Sequence, residues 1–315
     1  MKSNLIFISD IHLGADATND FHHTHALHQL FDYAAENADE LIIVGDFLEL
    51  SQSDFYAIYS KHHNLFQHLF ELAEKIPVKY IFGNHDAIVG MDYDPQKTGH
   101  FLGSAIEVLP EYENLKLKIF AAHGHQFSHL NRHDNCLDFA EKPSVGDGIT
   151  RLAGWAERNI HPKLDNWIEK LHLNFKKWRR GIARKKPNFA NLVTPAHPDY
   201  VELGGDFSEY DRGARDILRS DRYSLAIFGH THLAGVREFE EGIYANCGSF
   251  VDNNFNDHPP TFLEVNADFV RLVDATTFEL IENVARDKNI SKSKRGVEAK
   301  SNFAIPKKRK TNCIF

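Results

Sequence analysis

At 315 residues, 42% of them hydrophobic, the chain can bury a sizeable core as one large domain or one domain with an insertion, which excludes a disordered or peptide-sized protein. Its three cysteines, Cys136, Cys247 and Cys313, are widely spaced and odd in number, so neither a disulfide framework nor a cysteine-based zinc site is indicated and a reducing compartment is expected. The formal net charge of -8 is segregated: Arg151 to Lys186 holds 11 basic against 3 acidic residues and Arg286 to Phe315 holds 10 against 2, leaving 15 basic and 39 acidic on the rest, an acidic body that repels a polyanion unless metal ions or a basic patch meet it.

In chain order, NLIFISDIHLG carries an apolar run from Leu5 to Ile8 and then delivers Asp10 and His12. The helix-periodic HALHQLFDYAAENA follows, and LIIVGDFLEL runs from Leu41 to Val44 into Gly45 and Asp46. A second helical stretch, NLFQHLFELAEKI, leads to VKYIFGNHDAIVG, whose strand-like start at 78–82 ends on Gly83, Asn84, His85 and Asp86. An alternating and then continuous apolar segment at 115–122 reaches His123 and His125, and the run at 224–228 reaches His230 and His232. EGIYANCGSF and TFLEVNADFVRLVDATTFELI then alternate as antiparallel strands do. Strands interleaved with helices predict an α/β fold.

A surface turn would explain any one of these endings, since Gly-Asn is common turn chemistry. Five strand-like runs closing on Asp, Asn or His call for a shared cause. In open α/β sheets the carboxyl ends of the strands line one edge, so Asp10, His12, Asp46, Asn84, His123, His230 and His232 can converge from distant parts of the chain. Nitrogen and oxygen donors without a thiolate suit hard and borderline divalent ions such as Mn, Fe or Zn. The set exceeds what one ion needs from a protein that leaves a position open for water, whereas two ions sharing a carboxylate use it fully.

Between His125 and Ser220 the pattern turns mostly helical, with Trp155, Trp167 and Trp178. It is read as a helical insertion at about 126–220 within a catalytic domain of 1–285, followed by a basic tail, 286–315, that lacks apolar periodicity and is expected to be mobile. Within the insertion, Leu164, Trp167, Leu171, Phe175, Trp178 and Ile182 follow steps of 3 and 4, and Lys163, Lys170, Lys177 and Arg184 recur every 7 beside them. Such a helix over 162–186 suits an anionic membrane interface or a groove for an amphiphilic substrate. A cap helix packed on the catalytic domain, with a solvated basic face, is the plainer reading, and contact with nucleic acid is a third. No stretch reaches the ~18 apolar residues of a membrane span and the first apolar run is too short for a signal peptide, so a cytoplasmic chain is expected, touching a membrane at most from its inner face.

The ordered motifs DIH at 10–12, GD at 45–46, GNHD at 83–86, HG at 123–124 and GHTH at 229–232 resemble the calcineurin-like metallophosphoesterases, over roughly residues 5–250. The resemblance implies two packed mixed β-sheets flanked by helices, with a dinuclear centre at the strand ends. It implies that Asp10, His12 and His232 hold one metal and Asn84, His123 and His230 the other, with Asp46 bridging and Mn, or else Fe or Zn, as the ions. His85 would stabilise the transition state or protonate the leaving oxygen, and Asp86 would orient His85 or its loop. IHLG, GDFLEL, GNHDAIVG, HGHQF and the basic insertion look like the branch containing the UDP-2,3-diacylglucosamine hydrolases, which implies a phosphodiester or pyrophosphate of a nucleotide-linked lipid as substrate. That branch commonly carries arginine where this chain has His85. A nuclease or cyclic-nucleotide phosphodiesterase is the alternative enzyme, and a non-catalytic metal-binding scaffold the alternative of a different class. Outside the motifs, His125 is expected as a substrate contact or as a residue behind the ligands or exposed, the cluster His22, His23, His25 and His28 as a solvated helix face, and NCGSF at 246–250 as a strand-ending turn.

Overall fold

Side chains alternate across a strand, so β1 (Leu5–Ile8) sends Leu5 and Phe7 to one face and Ile6 and Ile8 to the other, and all four are buried. A strand that is apolar on both faces belongs at the centre of a sheet covered on both sides. The computed structural model, which describes residues 3–15, 23–90, 99–127, 208–251 and 259–286, places it there. After β1 come α1 (Thr24–Asn37), β2 (Glu40–Val44), α2 (Phe55–Lys61), α3 (His63–Ala73), β3 (Val78–Ile81), β4 (Gly99–His100), β5 (Glu107–Leu109), β6 (Tyr112–Asn114) and β7 (Ile119–Ala121). The chain continues with α4 (Ser208–Leu218), β8 (Leu225–Phe228), β9 (Gly235–Phe239), β10 (Gly242–Asn246), β11 (Thr261–Val265), β12 (Phe269–Asp274) and β13 (Leu280–Ala285).

Two mixed sheets result. The larger has the order β13-β12-β11-β1-β2-β3-β5-β4, with β1, β2, β3 and β5 parallel and the outer strands antiparallel. The smaller has the order β6-β7-β8-β10-β9, parallel through β7, β8 and β10 and antiparallel at its edges. Leu5, Phe7, Ile42, Val44 and Ile81 of the first pack against Ile119, Ala121, Leu225, Ile227 and Ile243 of the second. On the far side of the large sheet, Ile6, Ile8, Ile43 and Tyr80 meet Leu27 and Phe31 of α1 and Leu65 and Leu69 of α3. On the far side of the small sheet, Phe120, Phe228 and Tyr244 meet Ala214 and Leu218 of α4. The layers are thus helix, sheet, sheet, helix, the α/β arrangement of two packed mixed sheets expected from the motifs.

Local differences from the sequence reading have local causes. The segment 115–122 is not one strand: β6 and β7 form a hairpin whose turn is set by Asn114, its Oδ1 accepting the Leu117 amide at 3.0 Å, with Lys118 at φ 52. The short α2, absent from the sequence reading, is capped by Asp54, whose Oδ1 accepts the Ala57 amide at 3.0 Å. Of the stretch read as an insertion, α4 packs on β8 and β10, while the segment 162–186, expected from sequence as a Trp-bearing helix, lies outside the described residues, as does 287–315. Among the described residues no helix is long and apolar enough to cross a membrane.

Phe7 tests the seam between the sheets. It is fully buried, its ring 6.0 Å from that of Tyr112 in an edge-on contact. Phe7→Ala should lower unfolding stability by about 3–5 kcal/mol in urea titrations. A cost below about 1 kcal/mol would show that the seam is not close-packed there.

Candidate metal centre

The strands deliver their polar residues to one edge because the loops that follow are laced together. Asp10 and His12 follow β1, and their amides donate to the carbonyls of Gly45 and Asp46 after β2, at 3.1 and 2.9 Å. Gly229, after β8, donates to the His123 carbonyl after β7 at 2.9 Å. Turning a chain so sharply while aiming a side chain inward takes left-handed backbone: Asp10, His12, Asp46, His230 and His232 have φ of 54, 50, 50, 65 and 60°. Each such angle at a non-glycine residue costs of order 1–3 kcal/mol, and its concentration at one edge marks a place where geometry is held for a purpose other than stability. The motif glycines serve the same packing. A Cβ on Gly83 would collide with Asp46 Oδ1, and one on Gly229 with Ser9 Oγ.

Six of the seven residues expected as ligands have side chains in one cluster, and the seventh, Asn84, is buried between Gly83 and His85, whose backbones lie against Asp46. Asp46 Oδ2 is 3.0 Å from His123 Nε2 and 3.8 Å from His12 Nε2, while Oδ1 accepts the His85 amide at 2.9 Å. Asp10 Oδ1 is 3.2 Å from His232 Nε2 and 3.7 Å from His12 Nε2, and its Oδ2 accepts the His230 amide at 2.9 Å and the Ser9 hydroxyl. His12 Nε2 and His232 Nε2 are 3.2 Å apart. Two trios, Asp10/His12/His232 and Asp46/His123/His230, each bring three ligand atoms within 4.8 Å of one another. His123 Nδ1 lies 2.8 Å from the Val44 carbonyl, which puts the proton there and turns the Nε2 lone pair inward; Glu49 Oε2, 2.9 Å from His12 Nδ1, does the same for His12. Buried Asp10 Oδ1, Asn84 Oδ1 and His123 Nε2 have no hydrogen-bond partner. Leaving such atoms unpaired costs about 1–3 kcal/mol each, and cations in their midst would satisfy all three, so the donor set fits metal ions.

The electrostatics are those of anions buried among imidazoles. Burial pushes the Asp10 and Asp46 carboxyls up, but His232 and His12 around the first, and His123 and His85 around the second, hold both well below the usual carboxylate range. Glu49, also buried, is brought down to about 2 by His85 and His12. Burial pushes the His123 imidazole down, yet Asp46 and Asp10 lift it to about 9, so an ion taking up the Nε2 lone pair displaces a proton from it. His230 is held well below the ordinary imidazole range by burial and the neighbouring His123.

Three features of the centre were not assigned from sequence. Glu49 is the first: its Oε2 lies 2.9 Å from His12 Nδ1 and 2.7 Å from His85 Nδ1, the latter off the hydrogen-bond axis. A lone carboxylate inside the apolar FLEL was its only signal. The second is the division of labour between carboxylates. His85 meets Glu49, whereas Asp86, fully buried, accepts the amides of Phe47 at 2.8 Å and Gly83 at 2.6 Å and the Tyr80 hydroxyl, so it fixes the loop rather than the imidazole. The third is NCGSF, which is more than a turn: Asn246 Nδ2 donates to the Gly229 carbonyl at 2.7 Å and the Phe250 amide to the Asp10 carbonyl at 3.0 Å. His125 is buried with its ring 5.4 Å from that of His123, and Tyr210 of α4 stands 5.8 Å from the ring of His230.

Comparison with known proteins agrees with this geometry. A UDP-2,3-diacylglucosamine hydrolase of Shewanella baltica is 31% identical over 239 residues, covering 75% of this chain and 85% of that protein. One of Shewanella pealeana is 25% identical over 245 residues with the same coverage. A dimetal phosphatase from Danio rerio superposes with a TM-score of 0.44 at 12% identity, over 90% of this chain and 98% of that one, a likeness too slight to bear on the site. The sequence profile of the calcineurin-like phosphoesterases matches residues 3–234, most of the chain, so the protein belongs to that family and is a metallophosphoesterase.

Proposed function

We propose that the centre binds two divalent metal ions and hydrolyses a phosphodiester or pyrophosphate bond, with a nucleotide-linked lipid of the UDP-diacylglucosamine kind as substrate. The observation that carries this reading is the two-sided placement of Asp46, whose Oδ2 faces His123 at 3.0 Å and His12 at 3.8 Å. In this assignment Asp10, His12 and His232 hold one ion, Asn84, His123 and His230 the other, and Asp46 is shared. Oxygen and nitrogen donors without thiolate suit Mn, Fe or Zn, of which Mn is our choice. When bound, such a pair supplies Lewis acidity, activating water and neutralising phosphate oxygens.

The chain's own residues supply the rest. His85 is partly exposed, with Nδ1 in ion-pair contact with Glu49 Oε2 at 2.7 Å, which favours the charged imidazole and leaves Nε2 to donate to the leaving oxygen. Glu49 thereby orients His12 by a hydrogen bond and supports the charge on His85 by ion pairing, and Asp86 keeps the loops after β2 and β3 in register. The lipid part of the proposal is supported by the names of the Shewanella relatives and by an apolar recess of about 280 Å³ formed by the same two loops and the 99–108 segment. Leu50, Phe55, Val89 and Phe101 line it, and Ile88 and Leu102, 53% and 51% exposed, form its rim.

Three outcomes test the reading. Asp46→Asn keeps shape and removes charge. It should cost more in metal retention and turnover than the roughly 10- to 100-fold typical of losing an outer-sphere partner, and unchanged metal content with full activity would sink the assignment. His85→Ala should lower turnover by ~10² to 10⁴ while two metal equivalents stay bound, with a smaller penalty for substrates whose leaving groups need little protonation. Because His12, Asp46 and His85 also bring ligand atoms within 4.8 Å, loss of one equivalent would make His85 a ligand instead. For the substrate, the metal-loaded protein is assayed on UDP-diacylglucosamine, single-stranded DNA and cyclic nucleotides. Val89→Asp should raise KM for the diacyl substrate by about 10- to 100-fold, the worth of one buried apolar side chain, and leave a small chromogenic diester nearly untouched. Equal effects on both, or a preference for DNA, would overturn the lipid reading.

A further inference from the structure

The recess proposed for the hydrocarbon accounts for one side of the centre only. Leu50, Phe55 and Val89, which line it, pack on the core between the large sheet and its helices. On the other side of the seam, the core between the small sheet and α4 includes Phe127. There α4 is drawn in against the ligand loops. Glycine is a poor helix former, yet Gly213 stands in the middle of α4, and a Cβ on it would lie 2.5 Å from the Phe127 ring. Phe127 in turn stacks at 4.9 Å on Phe228, which precedes Gly229 and His230. The first turn of α4 is pinned as well, Asp211 Oδ1 and Oδ2 accepting from Nη1 of Arg237 on β9 at 3.0 and 2.8 Å. Tyr210 is thereby set beside an expected metal ligand, its half-buried ring 5.8 Å from that of His230 and tilted by 53°. His125, buried after β7, has its ring 6.3 Å from the same imidazole.

A nucleotide-linked lipid with its phosphates at the ligands and its hydrocarbon in the recess has one portion left to place, the nucleoside. The helix layer of the small sheet is the wall that the recess does not occupy. We propose that Tyr210 forms a subsite there for the nucleoside of the substrate, its ring stacking on the base. The inference rests on the reading of the substrate as a nucleotide derivative and is independent of its acyl half. A tyrosine ring suits the task, since it is flat, largely apolar and held by few torsions, so little freedom is lost when a base settles on it. Every base has a π-face, so such a contact recognises the nucleoside without discriminating among bases.

The metal-loaded full-length protein is assayed on two soluble diesters with the same leaving group, the p-nitrophenyl ester of UMP and methyl p-nitrophenyl phosphate, and the ratio of their kcat/KM values is read. Loss of stacking on one base is worth roughly 5- to 150-fold. Tyr210→Ala should lower the ratio by that factor, whereas Tyr210→Phe, which keeps the ring, should hold it at the wild-type value. An equal fall on both esters would make Tyr210 a packing residue, and no fall on either would remove it from the site; each result overturns the subsite. A Tyr210→Phe ratio as low as that of Tyr210→Ala would put a hydroxyl contact in place of stacking and overturn it too. A second measurement needs no turnover: UMP and inorganic phosphate are titrated into the metal-loaded protein by calorimetry. The wild type should prefer UMP, and Tyr210→Ala should lose that preference by the same factor. Equal preference in both proteins overturns the subsite even where neither diester is cleaved. If ratio and preference behave as expected while UDP-diacylglucosamine is left intact, the lipid reading fails and the nucleoside subsite stands.

Discussion

Two carboxylates, Asp10 and Asp46, are buried at the seam where both sheets end, and the rest of the edge is arranged around keeping them ionised. An unpaired buried carboxylate costs several kcal/mol, so each must be met by donors or cations within contact distance. Asp10 receives the His230 amide and the Ser9 hydroxyl, Asp46 receives the His85 amide, and imidazoles flank both. Amides can point inward at a carboxylate only if their loops turn abruptly, which accounts for the left-handed angles at Asp10, His12, Asp46, His230 and His232. The loops can close in so tightly only if glycine stands where Gly83 and Gly229 do. The motif spacing is therefore a consequence of burying charge, read along the chain.

Holding that arrangement takes a further ring of residues. Asp86 ties the loops after β2 and β3, Asn246 and Phe250 tie those after β8 and β1, and Glu49 sets the ring of His12 and pairs in charge with His85. A protein that merely bound metal would need the inner ligands and their braces. It would have no use for a partly exposed imidazole whose charge is supported by a buried carboxylate, which is what His85 and Glu49 provide. Their pairing is the feature that weighs for catalysis over a binding scaffold.

Much of this was legible because burial and periodicity leave direct marks on sequence. Runs such as LIFI and LIIV, apolar at every position, announced strands covered on both faces, and their abrupt polar endings announced the shared edge. What escaped was set by partners distant in the chain. Glu49 and Asp86 differ in role only through which histidine or amide the fold brings to them. His68 reads as one polar residue of an amphipathic helix until α1 carries His28 to within 2.7 Å of it. The 115–122 segment misled because Leu-Lys alternation outweighed Asn114, whose side chain bends the backbone into a hairpin.

The loops after β2 and β3 carry two chemistries at once, and that bears on the kind of phosphoester the centre suits. Within a few residues each passes from the polar residues of the centre to apolar lining: Asp46 and Glu49 precede Leu50, and Asn84 and His85 precede Ile88 and Val89. Among the described residues lining the recess, His100 is the only titratable one, whereas a polynucleotide gains its affinity from cations placed along its backbone. An acidic body with an apolar recess beside its polar centre disfavours a polyanion that must lie along the surface. The proposed substrate, with its charge confined to one or two phosphates and an apolar remainder, is consistent with that pairing of polar centre and apolar recess.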